Sequence, residues 1–98
     1  MPAPRFEWDP RKDAQNQRKH RVSFEEASTV FADEYAFLLD DPDHSAAEDR
    51  FLLLGLSAAF RVLVVAHTYR RSGDTIRIIS ARRATKNERR QYDARWHP

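Results

Sequence analysis

Two apolar runs stand almost back to back in the middle of this chain. They are Phe51-Leu52-Leu53-Leu54-Gly55-Leu56 and Arg61-Val62-Leu63-Val64-Val65-Ala66-His67, joined through Ser57-Ala58-Ala59-Phe60. An amphipathic helix would break such runs with polar residues at each turn, and a half-exposed strand would alternate. Near-continuous runs of this length are expected to be central strands covered on both faces. A chain of 98 residues can build one such covered sheet but not two, so residues 1–98 are read as a single domain.

The flanking segments supply the covering layers. Phe6-Glu7-Trp8 reads as a short strand or an anchoring segment, with Trp8 in the core. Asp9-Pro10 has the form of a helix N-cap followed by proline at the first helical position. The helix it opens runs to about His20 and offers little but Ala14 for burial, so a surface position is expected. Ser23-Phe24-Glu25-Glu26 is a capping box, and Ala27, Val30 and Phe31 follow at helical spacing until about Asp33. Tyr35–Leu39 is strand-like and ends in the turn-forming Asp40-Asp41-Pro42-Asp43. Arg71-Ser72-Gly73-Asp74 turns the chain into Thr75–Ser80, and a second capping box, Thr85-Lys86-Asn87-Glu88, opens the last helix. The expected fold is α+β: two N-terminal helices, an antiparallel β-sheet meander and a C-terminal helix.

Charge is distributed unevenly along this frame. Every ionised side chain from Tyr35 to Asp49 is acidic, whereas Arg77, Arg82, Arg83, Lys86, Arg89, Arg90 and Arg95 face only Glu88 and Asp93. The net charge of +2 is too small to identify a polyanion partner by itself. The clustering matters more, because guanidinium forks match phosphate oxygens and never deprotonate near neutrality. The chain has no cysteine, which excludes disulfides, thiolate catalysis and Cys-ligated zinc. The N-terminal segment shows no apolar secretory region and no apolar run approaches membrane-spanning length, so a cytoplasmic location is the expectation.

Strand alternation sorts the cationic segment into two faces. Ile76, Ile78, Ser80 and Arg82 fall on one face, and Arg77, Ile79, Ala81 and Arg83 on the other. An even-length loop at Ser72-Gly73 would add His67 to the first set and place Thr68 opposite Arg77. Lys19-His20 closes the first helix, where cations suit the helix dipole. His20 is a candidate proton-transfer group, since imidazole is the side chain whose reference pKa lies nearest neutrality. His67 on an apolar strand has a competing reading as a core residue, and Ser23 is accounted for as a cap. Asp40, Asp41 and Asp43 offer a weak motif for a hard cation. The expectation is no metal and no other cofactor, and the chain contains no glycine-rich phosphate loop. Trp8, Tyr69, Tyr92 and Trp96 are available to stack bases or to pack.

Taken together, several of these segments resemble the BrnT family of toxins from bacterial type II toxin–antitoxin modules. They are Phe6-Glu7-Trp8-Asp9, Lys19-His20, Val22-Ser23-Phe24-Glu25-Glu26-Ala27, Val30-Phe31-Ala32-Asp33 and Arg77-Ile78-Ile79-Ser80-Ala81-Arg82-Arg83-Ala84. Asp41-Pro42-Asp43-His44-Ser45, Arg50-Phe51, Glu88 and Tyr92 fit the same pattern, and Arg21 departs from it, standing where the family has glycine. The resemblance implies a RelE-like fold and a metal-independent endoribonuclease. It also implies a BrnA-like antitoxin as partner, with operator DNA bound only through that antitoxin. On this reading Lys19, His20, Arg77, Arg82 and Arg83 are the catalytic candidates, and Ser80, Lys86 and His67 the substrate-binding ones. A non-catalytic nucleic-acid-binding or transcription-regulating module is the alternative, and Glu88 is a reserve base.

Overall fold

The computed structural model describes residues 4–40, 50–71 and 73–96. It has a five-stranded sheet in the order β1-β5-β4-β3-β2, formed by β1 (Arg5–Glu7), β2 (Phe37–Leu39), β3 (Phe51–Leu56), β4 (Val62–Tyr69) and β5 (Thr75–Arg83). The helices are α1 (Pro10–His20), α2 (Phe24–Thr29, continued by a 3₁₀ turn over Val30–Ala32) and α3 (Lys86–Trp96). The two apolar runs pair antiparallel at the centre, as their pattern requires. The sheet as a whole is mixed, which corrects the expected antiparallel meander: β1 pairs parallel with β5, with Phe6 beside Ile76. The acidic segment 41–49, with Asp41, Asp43 and His44, lies outside the described residues.

Both faces of the sheet are covered. On one, Val22, Phe24, Ala27 and Val30 pack against Leu63, Val65, Ile78 and Ala81. On the other, Tyr92 of α3 packs with Leu54 and Val64. Trp8 is half-buried against the first cluster and meets Phe24 edge-on at 6.2 Å. Gly55 is required where the 3₁₀ turn meets β3, because a Cβ there would lie 2.7 Å from Ala36 Cβ and 2.8 Å from Val30 Cγ1. Asp33, next to that contact, accepts from the Leu56 amide at 2.8 Å and from the Tyr92 hydroxyl at 2.7 Å, tying the two layers together.

A bulge in β5 changes the predicted faces. Thr68 stands opposite Arg77 and His67 opposite Ile78, but Ser80 then pairs with Ala66, which leaves Ile79 without a partner in the ladder. Ile78 and Ala81 therefore share one core cluster although strict alternation would separate them. Downstream, Arg83 stands opposite Leu63 of the α2-side cluster and Arg82 opposite Val64 of the α3-side cluster.

The helix ends follow the cap signals in part. Asp9 Oδ1 accepts from the Arg11 amide at 2.8 Å, and Ser23 Oγ from the Glu26 amide at 3.0 Å. The Glu26 carboxylate is engaged by Arg61 and by the Ser57 hydroxyl. The second capping box is reciprocal: Thr85 N–H donates to Glu88 Oε1 at 2.8 Å, and Glu88 N–H to Thr85 Oγ1 at 3.2 Å.

Candidate nucleic-acid interface

The burial expected of α1 is reversed in the structure: Ala14 is exposed and Asn16 is buried. Beyond Arg77, β5 no longer has β1 beside it, so its outer backbone edge needs other partners. Asn16 supplies them. Its Nδ2 donates to the carbonyls of Ala81 and Val22, each at 2.8 Å, and its Oδ1 accepts from the Ala81 amide at 3.1 Å. One side-chain amide thus takes the place of a strand and holds α1 against the open edge.

This docking forms a cleft of about 260 Å³ between α1 and β5. Lys12, Lys19 and His20 line it from the helix, and Ile79 and Ser80 from the strand. Positions 12, 16 and 19/20 recur at helical spacing, so one turn after another delivers a cation or the Asn16 bridge to the same face. Ile79 and Ser80 both reach the cleft, being consecutive residues at the bulge. None of the residues lining it carries a carboxylate. Arg21 caps α1 in a left-handed conformation, φ 60° and ψ 31°, so an arginine occupies a backbone geometry in which glycine is usual. The Arg21 carbonyl accepts from Arg61 Nη2 at 3.0 Å, which fixes the chain immediately after His20.

The other predicted residues are placed differently. Arg82 donates to both Glu88 oxygens, at 2.7 and 3.0 Å, and this pairing holds the Glu88 carboxyl well below its ordinary range, at about 2. The fork that sequence reading assigned to phosphate is occupied by a carboxylate. Arg77 lies 3.6 Å from Glu7, which is also engaged by Arg70. Arg83 makes no ion pair within reach of a carboxylate among the described residues, although its charge helps to hold Glu26 ionised. With Arg61, Phe60 and Arg89 it lines a second hollow of about 210 Å³ at the end of the sheet. Lys86, the first residue of α3, is exposed and lines neither hollow.

His67 is not on a substrate face. It is fully buried, with ring centroids 4.7 Å from Phe31, 5.4 Å from Tyr69 and 5.9 Å from Phe51. Its Nδ1 lies 3.0 Å from the Val65 carbonyl and Nε2 has no partner among the described residues. Burial pushes its pKa down, so the neutral imidazole is the form the core accepts. The structure thus brings Lys19, His20 and Ser80 together, sets Arg83 beyond them on the same strand, and pairs Arg77 and Arg82 with acids. Lys12, Asn16, Phe60 and Arg89 are additional residues of these surfaces. Arg89 had a signal in sequence as a member of the C-terminal cationic cluster, and the spacing of Lys12 from Lys19 on α1 could have supplied another.

No group of three or more His, Cys, Asp or Glu side chains suited to a metal ion occurs among the described residues. None of the described helices is long and apolar enough to cross a membrane.

The chain is an α+β protein with cationic side chains and an imidazole gathered over one sheet edge. The chain belongs to the BrnT family: the family model described as "Ribonuclease toxin, BrnT, of type II toxin-antitoxin system" matches residues 8–88. Among solved structures, the crystal structure of the Brucella abortus ribonuclease toxin BrnT is similar, with a TM-score of 0.65. The two are 19% identical over 86% of this chain and 100% of that one, a likeness of fold. None of the curated proteins compared with the chain matches it.

Proposed function

We propose that this chain is a metal-independent endoribonuclease toxin that acts in the cytoplasm and is neutralised by a BrnA-like antitoxin. The observation that carries the reading is the α1–β5 cleft, where Lys12, Lys19 and His20 meet Ser80 with no acid among the lining residues. Ammonium and imidazole groups without carboxylate neighbours suit a phosphodiester and are poor donors for a hard cation. The ribose 2′-hydroxyl attacks the adjacent phosphorus as the bond to the 5′-oxygen of the next nucleotide breaks, leaving a 2′,3′-cyclic phosphate and a 5′-hydroxyl. His20 moves the proton, as base toward the 2′-oxygen or as acid toward the leaving oxygen. Lys19 and Lys12 stabilise the charge that builds on the non-bridging oxygens, and Ser80 offers a hydroxyl donor.

The test is cleavage of RNA by the purified chain, freed from its antitoxin, with and without EDTA. Cleavage is expected in both, with a 2′-deoxy nucleotide at the scissile position resistant. His20→Ala is expected to slow the reaction by on the order of 10²–10⁴-fold. Intact RNA in every arm, or cleavage abolished by EDTA, overturns the reading.

A further inference from the structure

Phe60 is the most exposed large apolar side chain of the described residues, at 84%, and its backbone is left-handed at φ 62°. It closes the β3–β4 turn, donating its amide to the Ser57 carbonyl at 2.9 Å, while the Ser57 amide reaches the Arg61 carbonyl at 2.8 Å. Hairpin turns of this kind favour glycine at the left-handed position, because a side chain there crowds its own backbone. A bulky aromatic in that conformation is an outlier, and burial does not compensate for it.

The surroundings of the ring point to a ligand. Phe60 shares its hollow with Arg83 from the end of β5 and Arg89 from α3. Neither arginine is paired with a carboxylate among the described residues, while Arg61, which also lines the hollow, is tied to Glu26. Two links lead from the hollow toward the α1–β5 cleft: Arg61 binds the carbonyl of Arg21, next to His20, and Arg83 follows Ser80 by three positions on β5. An aromatic face beside unpaired guanidiniums is the arrangement by which proteins hold single-stranded nucleic acid, with stacking for a base and cations for the flanking phosphates.

We propose that Phe60, Arg83 and Arg89 form a nucleotide subsite for single-stranded RNA, in which the Phe60 ring stacks on a base adjacent to the scissile phosphate and the two guanidiniums hold the backbone. This inference rests on the ribonuclease reading and adds a subsite to it. Phe60 acts on substrate binding, so its loss is expected in KM more than in kcat.

The test uses Phe60→Gly, which suits the left-handed backbone and keeps the fold, together with Phe60→Trp. Substrates are a short unstructured RNA for cleavage and its fully 2′-O-methylated counterpart for binding by fluorescence anisotropy. Phe60→Gly is expected to melt no lower than the parent, to raise KM and Kd about tenfold, and to change kcat less than about threefold. Phe60→Trp is expected to retain binding. A parent chain that cleaves RNA with KM and Kd unmoved by Phe60→Gly overturns the subsite. So does a variant that binds RNA normally but loosens its co-expressed antitoxin, since Phe60 would then be a protein contact. A parent chain that binds but never cleaves, with Kd still raised by Phe60→Gly, keeps the subsite and removes the ribonuclease reading instead.

Discussion

Arg82 and Arg83 are adjacent on β5 and carry the same side chain, yet they face opposite layers and opposite electrostatic surroundings. Arg82 turns toward α3 and meets Glu88, whose position is already fixed by the Thr85 capping box. Arg83 turns toward the α2 layer, where Arg61 already engages Glu26. A similar contrast separates this pair from the α1–β5 cleft: the Arg82 guanidinium has a carboxylate waiting for it, whereas the lysines and imidazole of the cleft have no acid among the residues beside them. A row of arginines on a strand is therefore not itself an anion site. What decides is which neighbouring element brings a carboxylate within reach.

The largest effect should come from removing the link that creates the open side. Asn16→Ala leaves the Ala81 amide and the Ala81 and Val22 carbonyls without their side-chain partner in a buried position. It is expected to cost about 3 kcal/mol of unfolding free energy, read from urea midpoints, and to abolish cleavage with it. Lys19→Ala probes the cleft without that structural loss. The urea midpoint should stay in place while cleavage falls by on the order of 10²-fold, in keeping with loss of a charge-stabilising donor. Arg82→Ala should do the reverse, lowering stability by about 1 kcal/mol and leaving the cleavage rate within about threefold. If Arg82→Ala were the slower enzyme and Lys19→Ala the less stable fold, the contrast between the two faces would be wrong.

The smallest effect concerns pH. His67 has a lowered pKa in the folded chain, so the unfolded chain takes up its proton first as pH falls. Its contribution is complete above the unfolded value of about 6.5 and declines below it. Stability should accordingly fall as pH drops below about 6.5 in the parent. His67→Leu should flatten that limb, change stability at pH 8 by less than about 1.5 kcal/mol, and leave RNA cleavage unaltered. Loss of cleavage in a well-folded His67→Leu would return the imidazole to the substrate face. Glu88 adds a separate limb at lower pH, because its carboxyl is held near 2 and the Arg82 pair weakens only as it protonates.

What could be read in sequence follows from which forces are local. The central strands, three helices and the Thr85 box come from periodicity and capping, and the structure contains each of them. Three features depend on contacts between distant segments and left no local sign: the parallel β1–β5 pair, the bulge at Ile79, and burial of Asn16 on an otherwise polar helix. The bulge had the widest effect, since it moved every residue after Ile78 to the opposite face from the one alternation gives. The Arg82–Glu88 pair is an intermediate case. Both residues were prominent, but their meeting depends on how α3 leaves the strand.

The Asn16–Ala81 bridge spans 65 positions, so its two halves leave the ribosome far apart in time. A nascent chain that has exposed α1 but not β5 has lysines and an imidazole on a helix with nothing opposite them. The α1–β5 cleft comes into being only when the last strand docks. On the proposed ribonuclease reading, topology delays the site until synthesis of that strand is complete.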